Sequence, residues 1–284
     1  MLKVIVTGGT GQLATAIAKL CTQSKNSYII TSIEELDICS MESVSRGVQD
    51  ADIVINCAAY TNVEAAEENI EEATRINRDG VANIAKVARE RGIKLIHIST
   101  DFVFGGDNER TTPYHEQEAP SPINVYGKTK AEGEAEALTA PGAIVLRTSW
   151  LYAPWGHNFV NTIIGRARQG AELRVVDDQR GTPTSAISLA QAIIEIIESG
   201  AWQTMEGIYH YSDLGESSWY DFAKEILRIA EIETRITPCK SSEWQSKAKR
   251  PHYSVLDKSR IAKLGIVALK PWQERLREVI TYKE

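Results

Sequence analysis

A tyrosine and a lysine four residues apart, in Tyr126-Gly-Lys-Thr-Lys130, leave the same side of a helix if that segment is helical. A phenol exchanges protons poorly near neutrality unless its pKa falls, and an ammonium held beside it favours the phenolate. The pair therefore suits proton transfer at a reacting oxygen, although the spacing also describes a surface tyrosine beside a solvated lysine. A second group is His97-Ile-Ser-Thr-Asp-Phe-Val-Phe104, an apolar run ending in the hydroxyls of Ser99 and Thr100. Ligands of open parallel sheets bind beyond the carboxyl ends of strands, so Thr100 either bonds a substrate oxygen or caps the strand. The third is Thr7-Gly-Gly-Thr-Gly-Gln-Leu-Ala14. Glycines at 8 and 11 tighten a turn and let backbone approach a pyrophosphate at the positive end of a helix; a ligand-free Gly-rich turn is the alternative. The three groups follow the order that one cleft would demand.

Strands and helices must alternate to bring them there. Val- and Ile-rich runs at Lys3 to Thr7, Tyr28 to Ile33, Asp52 to Cys57, Lys94 to Ser99 and Ala143 to Arg147 lack polar alternation, which predicts strands buried on both faces. Between them Ala73 to Arg91 reads as one helix, with Ile76, Gly80, Ile84 and Ala88 on a single face and Gly92 as its stop. Strand, helix, strand is the rhythm of a parallel sheet with right-handed crossovers. After about Trp150 the rhythm changes to longer loops and to helices such as Leu189 to Glu198, Trp219 to Ile229 and Trp272 to Ile280, not each followed by a buried strand. The expectation is an α/β chain with a dinucleotide-binding domain over 1–150 and a mainly substrate-binding domain over 151–284, partly interleaved with the first.

Composition narrows the function. With 284 residues, 43% hydrophobic and 25% charged, a sizeable core is available and disordered or fibrous classes drop out. Thirty-two Lys and Arg against 38 Asp and Glu give a net charge of -6, so no global positive field would hold nucleic acid or anionic lipid. No apolar run reaches the roughly 20 residues of a membrane span. Four scattered cysteines without a CxxC, and an opening Met1-Leu-Lys-Val-Ile-Val without signal-peptide layout, fit a cytoplasmic protein. Five histidines show no ligand spacing, so no metal site is expected.

Taken together, these segments resemble the extended short-chain dehydrogenase/reductase superfamily and, within it, the dTDP-4-dehydrorhamnose reductases, over nearly the whole chain. The likeness is carried by Gly8-Gly-Thr-Gly-Gln-Leu, Leu36-Asp-Ile, Asn56-Cys-Ala-Ala-Tyr-Thr-Asn-Val-Glu-Ala-Ala-Glu67, Ser99-Thr-Asp-Phe-Val-Phe-Gly-Gly, Pro122-Ile-Asn-Val-Tyr-Gly-Lys-Thr-Lys, Arg147-Thr-Ser-Trp-Leu-Tyr, Asp178-Gln-Arg-Gly-Thr-Pro-Thr and Arg250-Pro-His-Tyr-Ser-Val-Leu-Asp. The first and fifth are superfamily-wide, and the others belong to the reductases.

The resemblance implies a Rossmann-like doubly wound parallel sheet with a smaller mixed C-terminal substrate domain. It also implies hydride transfer from NADPH or NADH to the C4 keto group of dTDP-4-dehydro-L-rhamnose, the last step of dTDP-L-rhamnose synthesis. Thr100, Tyr126 and Lys130 would be the catalytic set, with Lys130 lowering the Tyr126 pKa and holding the nicotinamide ribose. Gly8, Gly11, Gln12 and Leu13 would surround the pyrophosphate, Asp37 and Ile38 the adenine, and Cys57, Ala58 and Ala59 the path to the nicotinamide. Thr61, Val63, Asp101, Phe102 and Trp150 match positions near the sugar, although Phe102 and Trp150 also read as core aromatics and Asp101 as a turn residue. Lys247, Lys249 and Arg250, the densest basic cluster of the C-terminal part, would meet the diphosphate or form a solvated loop.

Three departures stand out. Ala14 replaces the third glycine and still allows close packing, Phe102 replaces the reductases' usual tyrosine, and Ala16 occupies a position where some members place a magnesium-binding glutamate at a dimer interface. A monomer or weak homodimer without metal is expected. A dehydratase or epimerase on the same fold is the rival reading, but dehydratases place Asp-Glu after the threonine where this chain has Asp101-Phe102. A non-catalytic dinucleotide-binding regulatory subunit is the third, against which stand the intact Thr100, Tyr126 and Lys130.

Overall fold

The structure, a computed structural model, describes residues 1–282. The apolar runs form one six-stranded, wholly parallel sheet: β1 (Lys3–Thr7), β2 (Ser27–Ile30), β3 (Ile53–Asn56), β4 (Lys94–Thr100), β5 (Ile144–Thr148) and β6 (Gly207–His210), in the order β6-β5-β4-β3-β1-β2. Helices of seven residues or more are α1 (Gln12–Leu20), α2 (Met41–Gly47), α3 (Gly80–Arg91), α4 (Val125–Ala137), α5 (Phe159–Arg168), α6 (Ala186–Glu198), α7 (Trp219–Ile229) and α8 (Trp272–Ile280).

Side chains alternate across a strand, so each inner strand supplies two cores. Val4, Val6, Ile53, Ile55, Ile96, Ile144 and Leu146 pack against α1 and α6. On the other face Ile5, Val54, Leu95 and Val145 pack against α2, α3 and the end of α4. β1 lies between β2 and β3, so the crossovers leave it in opposite directions and a crevice opens at the carboxyl ends of β1 and β3. This is a doubly wound, Rossmann-like architecture. A third core joins α5, α7 and α8 around Phe222, Ile226, Trp272 and Leu276, beside a parallel pair of short strands, Leu173–Val176 and Ile236–Cys239.

Three expectations are corrected. The helix foreseen over 73–91 is divided: a helix at Ile70–Thr74 passes through a wide π turn at Arg75–Asp79 before α3. The buried Asn77 amide explains the division, because its Oδ1 accepts from Tyr60 N at 2.8 Å while its Nδ2 reaches Tyr60 O and Thr129 Oγ1. Gly92 does end α3, in the left-handed region at φ 68°. β2 is shorter than foreseen and lies at the sheet edge, where Ile29 is exposed, so its apolar run does not mark burial on both faces. β6 was not foreseen, for Gly-Ile-Tyr-His is short and sits at the other edge, yet it follows α6 and extends the parallel sheet beside β5.

Candidate active site

α4 begins where β4 ends, and glycine decides how closely. Asn124 caps the helix, accepting from Gly127 N at 2.7 Å and donating to Lys249 O at 2.7 Å, while Val125 N donates to Glu67 Oε1 at 2.8 Å. A Cβ on Gly127 would lie 2.0 Å from Phe102 O, so only glycine lets the helix rest on the turn after Thr100. Tyr126 thereby meets Phe102 edge to face, with ring centroids 5.8 Å apart. Burial pushes the Tyr126 phenol up to about 12; a hydrogen bond from Thr100 pulls it down and the Asp101 charge pushes it up.

Lys130 lies one turn further along α4. Its ammonium is engaged by β4, at 2.7 Å from Ile98 O and 3.4 Å from His97 Nε2, and it is not among the groups that shift the phenol. Burial draws the ammonium down to about 8, with Glu134 and Cys57 acting in the opposite direction. Burial likewise pushes the Cys57 thiol up to about 12, against the nearby Lys130 charge. The Asp101 carboxyl rises to about 7 through burial, despite hydrogen bonds from Ser254 Oγ at 2.6 Å and from Thr100.

The Gly-rich turn packs too closely on its neighbours to admit side chains. Gly8 has φ +71°, and a Cβ there would lie 2.8 Å from Ala58 N; at Gly9 it would lie 2.8 Å from Thr31 O. Gly11 is the N-cap of α1 and has no capping side chain, leaving the first N–H groups open to an anion. Leu13, Ala14 and Ala16 are buried in the core, which leaves only the backbone of Leu13 on the side of the Gly-rich turn. Gln12 is held from the C-terminal half: its Oε1 accepts from Asn158 Nδ2 at 2.8 Å and its O from Trp155 Nε1 at 3.2 Å. Asp37 Oδ1 accepts from Cys39 N. The Ile38 side chain, expected at the adenine, is turned into the core against Gly80. Cys57, Ala58 and Ala59 follow β3, partly buried.

On the sugar side Thr61 is exposed and Val63 opens a short helix, Val63–Ala66, capped by Asn62. Glu64 in that helix accepts from Ser246 Oγ, Lys247 N and Arg250, which fastens the basic segment to it. Lys247 is occupied by Glu68 at 2.5 Å and does not line the neighbouring cavity. Lys249 and Arg250 line that cavity, of about 670 Å³, together with Phe159, Trp219, Trp244 and Arg166. Arg166, exposed and without an acidic partner among the described residues, was not foreseen: it shares the last turn of α5 with Arg168 only, and no motif marks it. Trp150 has φ +45° and stacks on Trp219 at 3.5 Å and 6°, and a Cβ on Gly181 would lie 2.5 Å from its indole. It thus belongs to the wall between β5 and α7 as well as to the third core.

Beneath α4 lies a polar layer the sequence did not single out. Arg147, wholly buried, makes a bidentate pair with Glu134 at 2.8 and 2.7 Å, and Ser99 donates to the same carboxylate at 2.6 Å. Thr7, Asn56 and His97 form a second row across β1, β3 and β4. The only sequence sign is a polar residue interrupting an apolar strand.

A Gly-rich turn at a switch point, a hydroxyl at a strand end and a helix bearing tyrosine and lysine define a short-chain dehydrogenase/reductase. The family model described as the RmlD substrate binding domain matches residues 2–284, and the chain belongs to that family. It is 35% identical to dTDP-4-dehydrorhamnose reductase of Mycolicibacterium smegmatis, over 98% of this chain and 85% of that one. The structure of a dTDP-4-dehydrorhamnose reductase from Clostridium acetobutylicum is similar at TM-score 0.92 and 38% identity, covering 98% of both chains. That of the Bacillus anthracis enzyme in complex with NADP is similar at TM-score 0.92 and 34% identity, also covering 98% of both.

Proposed function

We propose that this chain reduces the C4 keto group of dTDP-4-dehydro-L-rhamnose to give dTDP-L-rhamnose, using a nicotinamide dinucleotide. The observation that carries the reading is the contact of Thr100 with Tyr126 at the end of β4, with Lys130 buried one turn further along α4, next to a cavity lined by Arg166, Lys249 and Arg250. The residues fit the cofactor, because Gly8 and Gly9 let the turn pack tightly on Ala58 and Thr31 and no side chain caps the α1 N–H groups at Gly11. Bound there, the reduced nicotinamide supplies the hydride.

The chain's own groups handle the proton. With its pKa near 12, Tyr126 is protonated at neutral pH and donates from Oη to the alkoxide forming at C4. Thr100 orients that oxygen and donates to the phenolate left behind, Lys130 holds the nicotinamide ribose from the same helix, and solvent restores the proton. Arg166, Lys249 and Arg250 meet the diphosphate, with Trp244 and Trp219 as apolar surface for the base. Trp150 and Phe102 border the deoxysugar. Phe102 places a ring, not a second carboxyl, after Asp101, which favours reduction over elimination of water.

The setting we propose is cytoplasmic, as monomer or weak homodimer, without nucleic acid. All four cysteines are free thiols. Among the described residues no helix is long and apolar enough to cross a membrane, and no group of three or more His, Cys, Asp or Glu could hold a metal ion. The test is a coupled assay with the 4-keto sugar nucleotide and NADPH or NADH in turn, following nicotinamide absorbance and identifying the product by NMR. Oxidation of cofactor matched by dTDP-L-rhamnose is the expected result; none with either cofactor overturns the reading.

A further inference from the structure

We infer that His97 is a positioning residue for Lys130: its imidazole is the second of two acceptors on β4 that fix the ammonium, and a buried ladder through Asn56 to Thr7 fixes the imidazole. The inference rests on the reductase reading only in taking Lys130 as the cation that serves the cofactor.

Thr7, Asn56 and His97 are direct register partners on three adjacent strands, and each is at most 1% exposed. Two residues earlier on the same faces stand Ile5, Val54 and Leu95. Polar side chains buried in such a layer are destabilising unless paired. Here each meets the next: Thr7 Oγ1 and Asn56 Oδ1 are 2.6 Å apart, Asn56 Nδ2 and His97 Nδ1 3.1 Å, and His97 Nε2 and Lys130 Nζ 3.4 Å. Thr7 Oγ1 also accepts from Ala58 N at 3.3 Å, so the ladder starts at the cofactor turn and ends on the lysine.

Proton counting gives the ladder its purpose. An ammonium has three donors and no acceptor. Ile98 O takes one and His97 Nε2 a second, which leaves one for the cleft. Accepting there requires an unprotonated Nε2, hence a neutral ring with its proton on Nδ1, and burial does hold His97 well below its ordinary pKa. The Nδ1 proton must then be accepted by the Asn56 carbonyl, which reverses the amide from the orientation just described, so that Nδ2 faces Thr7 and the carbonyl faces His97. An amide has nearly the same shape either way round. The other orientation puts the imidazole proton on Nε2, facing Nζ, and suits only an uncharged amine. Facing Lys130 besides His97 and Ile98 are Cys57 from the end of β3 and Glu134 from α4 itself.

Two substitutions separate contact from fold. In His97→Gln the side-chain amide reaches the place of Nε2; in His97→Asn it reaches only the place of Nδ1. We expect His97→Gln to stay within about 3-fold of the parent kcat, and His97→Asn to lose about 10-fold or more. The alkaline limb of the His97→Asn pH profile should move to lower pH, because an ammonium short of an acceptor deprotonates sooner. Equal rates and equal profiles in the two variants overturn the inference. Nitrogen-15 NMR of histidine-labelled protein, with His97 assigned by its disappearance in His97→Gln, reads the tautomer without any substrate. An unprotonated Nε2 near neutral pH supports the inference and a protonated one overturns it, even if His97→Asn does not fold. Absence of parent activity on any dTDP-keto sugar would sink the reductase reading alone, leaving the tautomer to decide this one.

Discussion

At neutral pH a phenol raised to about 12 already carries the proton that a nascent alkoxide needs, so Tyr126 acts as an acid without prior proton uptake. Tyr126→Phe should lower kcat by roughly 10²–10⁴-fold with little change in NADPH affinity, checked by steady-state kinetics and cofactor titration. A variant turning over at the parent rate would remove the tyrosine from the mechanism. Asp101 gives a different signature, because its carboxyl is raised to about 7 by burial. A group whose folded pKa is raised stabilises fully below its unfolded value, near pH 4, and this is lost as pH rises through about 7. The melting temperature of the parent relative to Asp101→Asn should therefore fall steadily between about pH 4 and about pH 7. A constant difference across that range would show that the carboxyl is ionised throughout. Much at this scale was legible: side-chain type and spacing marked Thr100, Tyr126 and Lys130 and the Gly-rich turn. The environment that shifts their protons was not, since neither the burial of Tyr126 nor the engagement of Lys130 by Ile98 O follows from an i, i+4 spacing.

Elements succeed or fail on close approach. α4 is glued to β4 and to the π turn by two glycines: a Cβ on Gly127 would meet Phe102 O at 2.0 Å, and one on Gly133 would meet Asn77 O at 2.0 Å. In both cases the obstacle is backbone, which cannot rotate away. Gly127→Ala should push the first turn of α4 outwards, lowering kcat by about 10²-fold, as expected for reacting groups displaced by about 1 Å, and lowering the melting temperature as well. Retained activity with a lowered melting temperature would show that the site tolerates the shift. The apolar runs announced the inner strands because those strands are buried on both faces. The divided helix and β6 escaped notice, since one depends on a distant amide and the other is a short edge strand.

For the whole molecule, the cavity and the crevice must be filled together, and several contacts join the halves: Asn158 to Gln12, Glu64 to Arg250 and Asn124 to Lys249. Arg166 lies on the cavity side alone. Arg166→Gln should raise KM for the dTDP-sugar by about 10-fold, as for loss of one charge-assisted contact, while the dissociation constant for NADPH stays unchanged. An unaltered KM would take Arg166 out of the diphosphate site. The order of synthesis adds a last point. β5 finishes at residue 148, yet the strand that covers its outer side, Gly207–His210, follows almost sixty residues later. Until that stretch leaves the ribosome, the nascent sheet exposes an unpaired, Val- and Leu-bearing border of the kind that recruits other chains. Release at residue 150 would make that exposure permanent, so a fragment ending there should sediment as aggregate rather than accumulate as a folded cofactor-binding half.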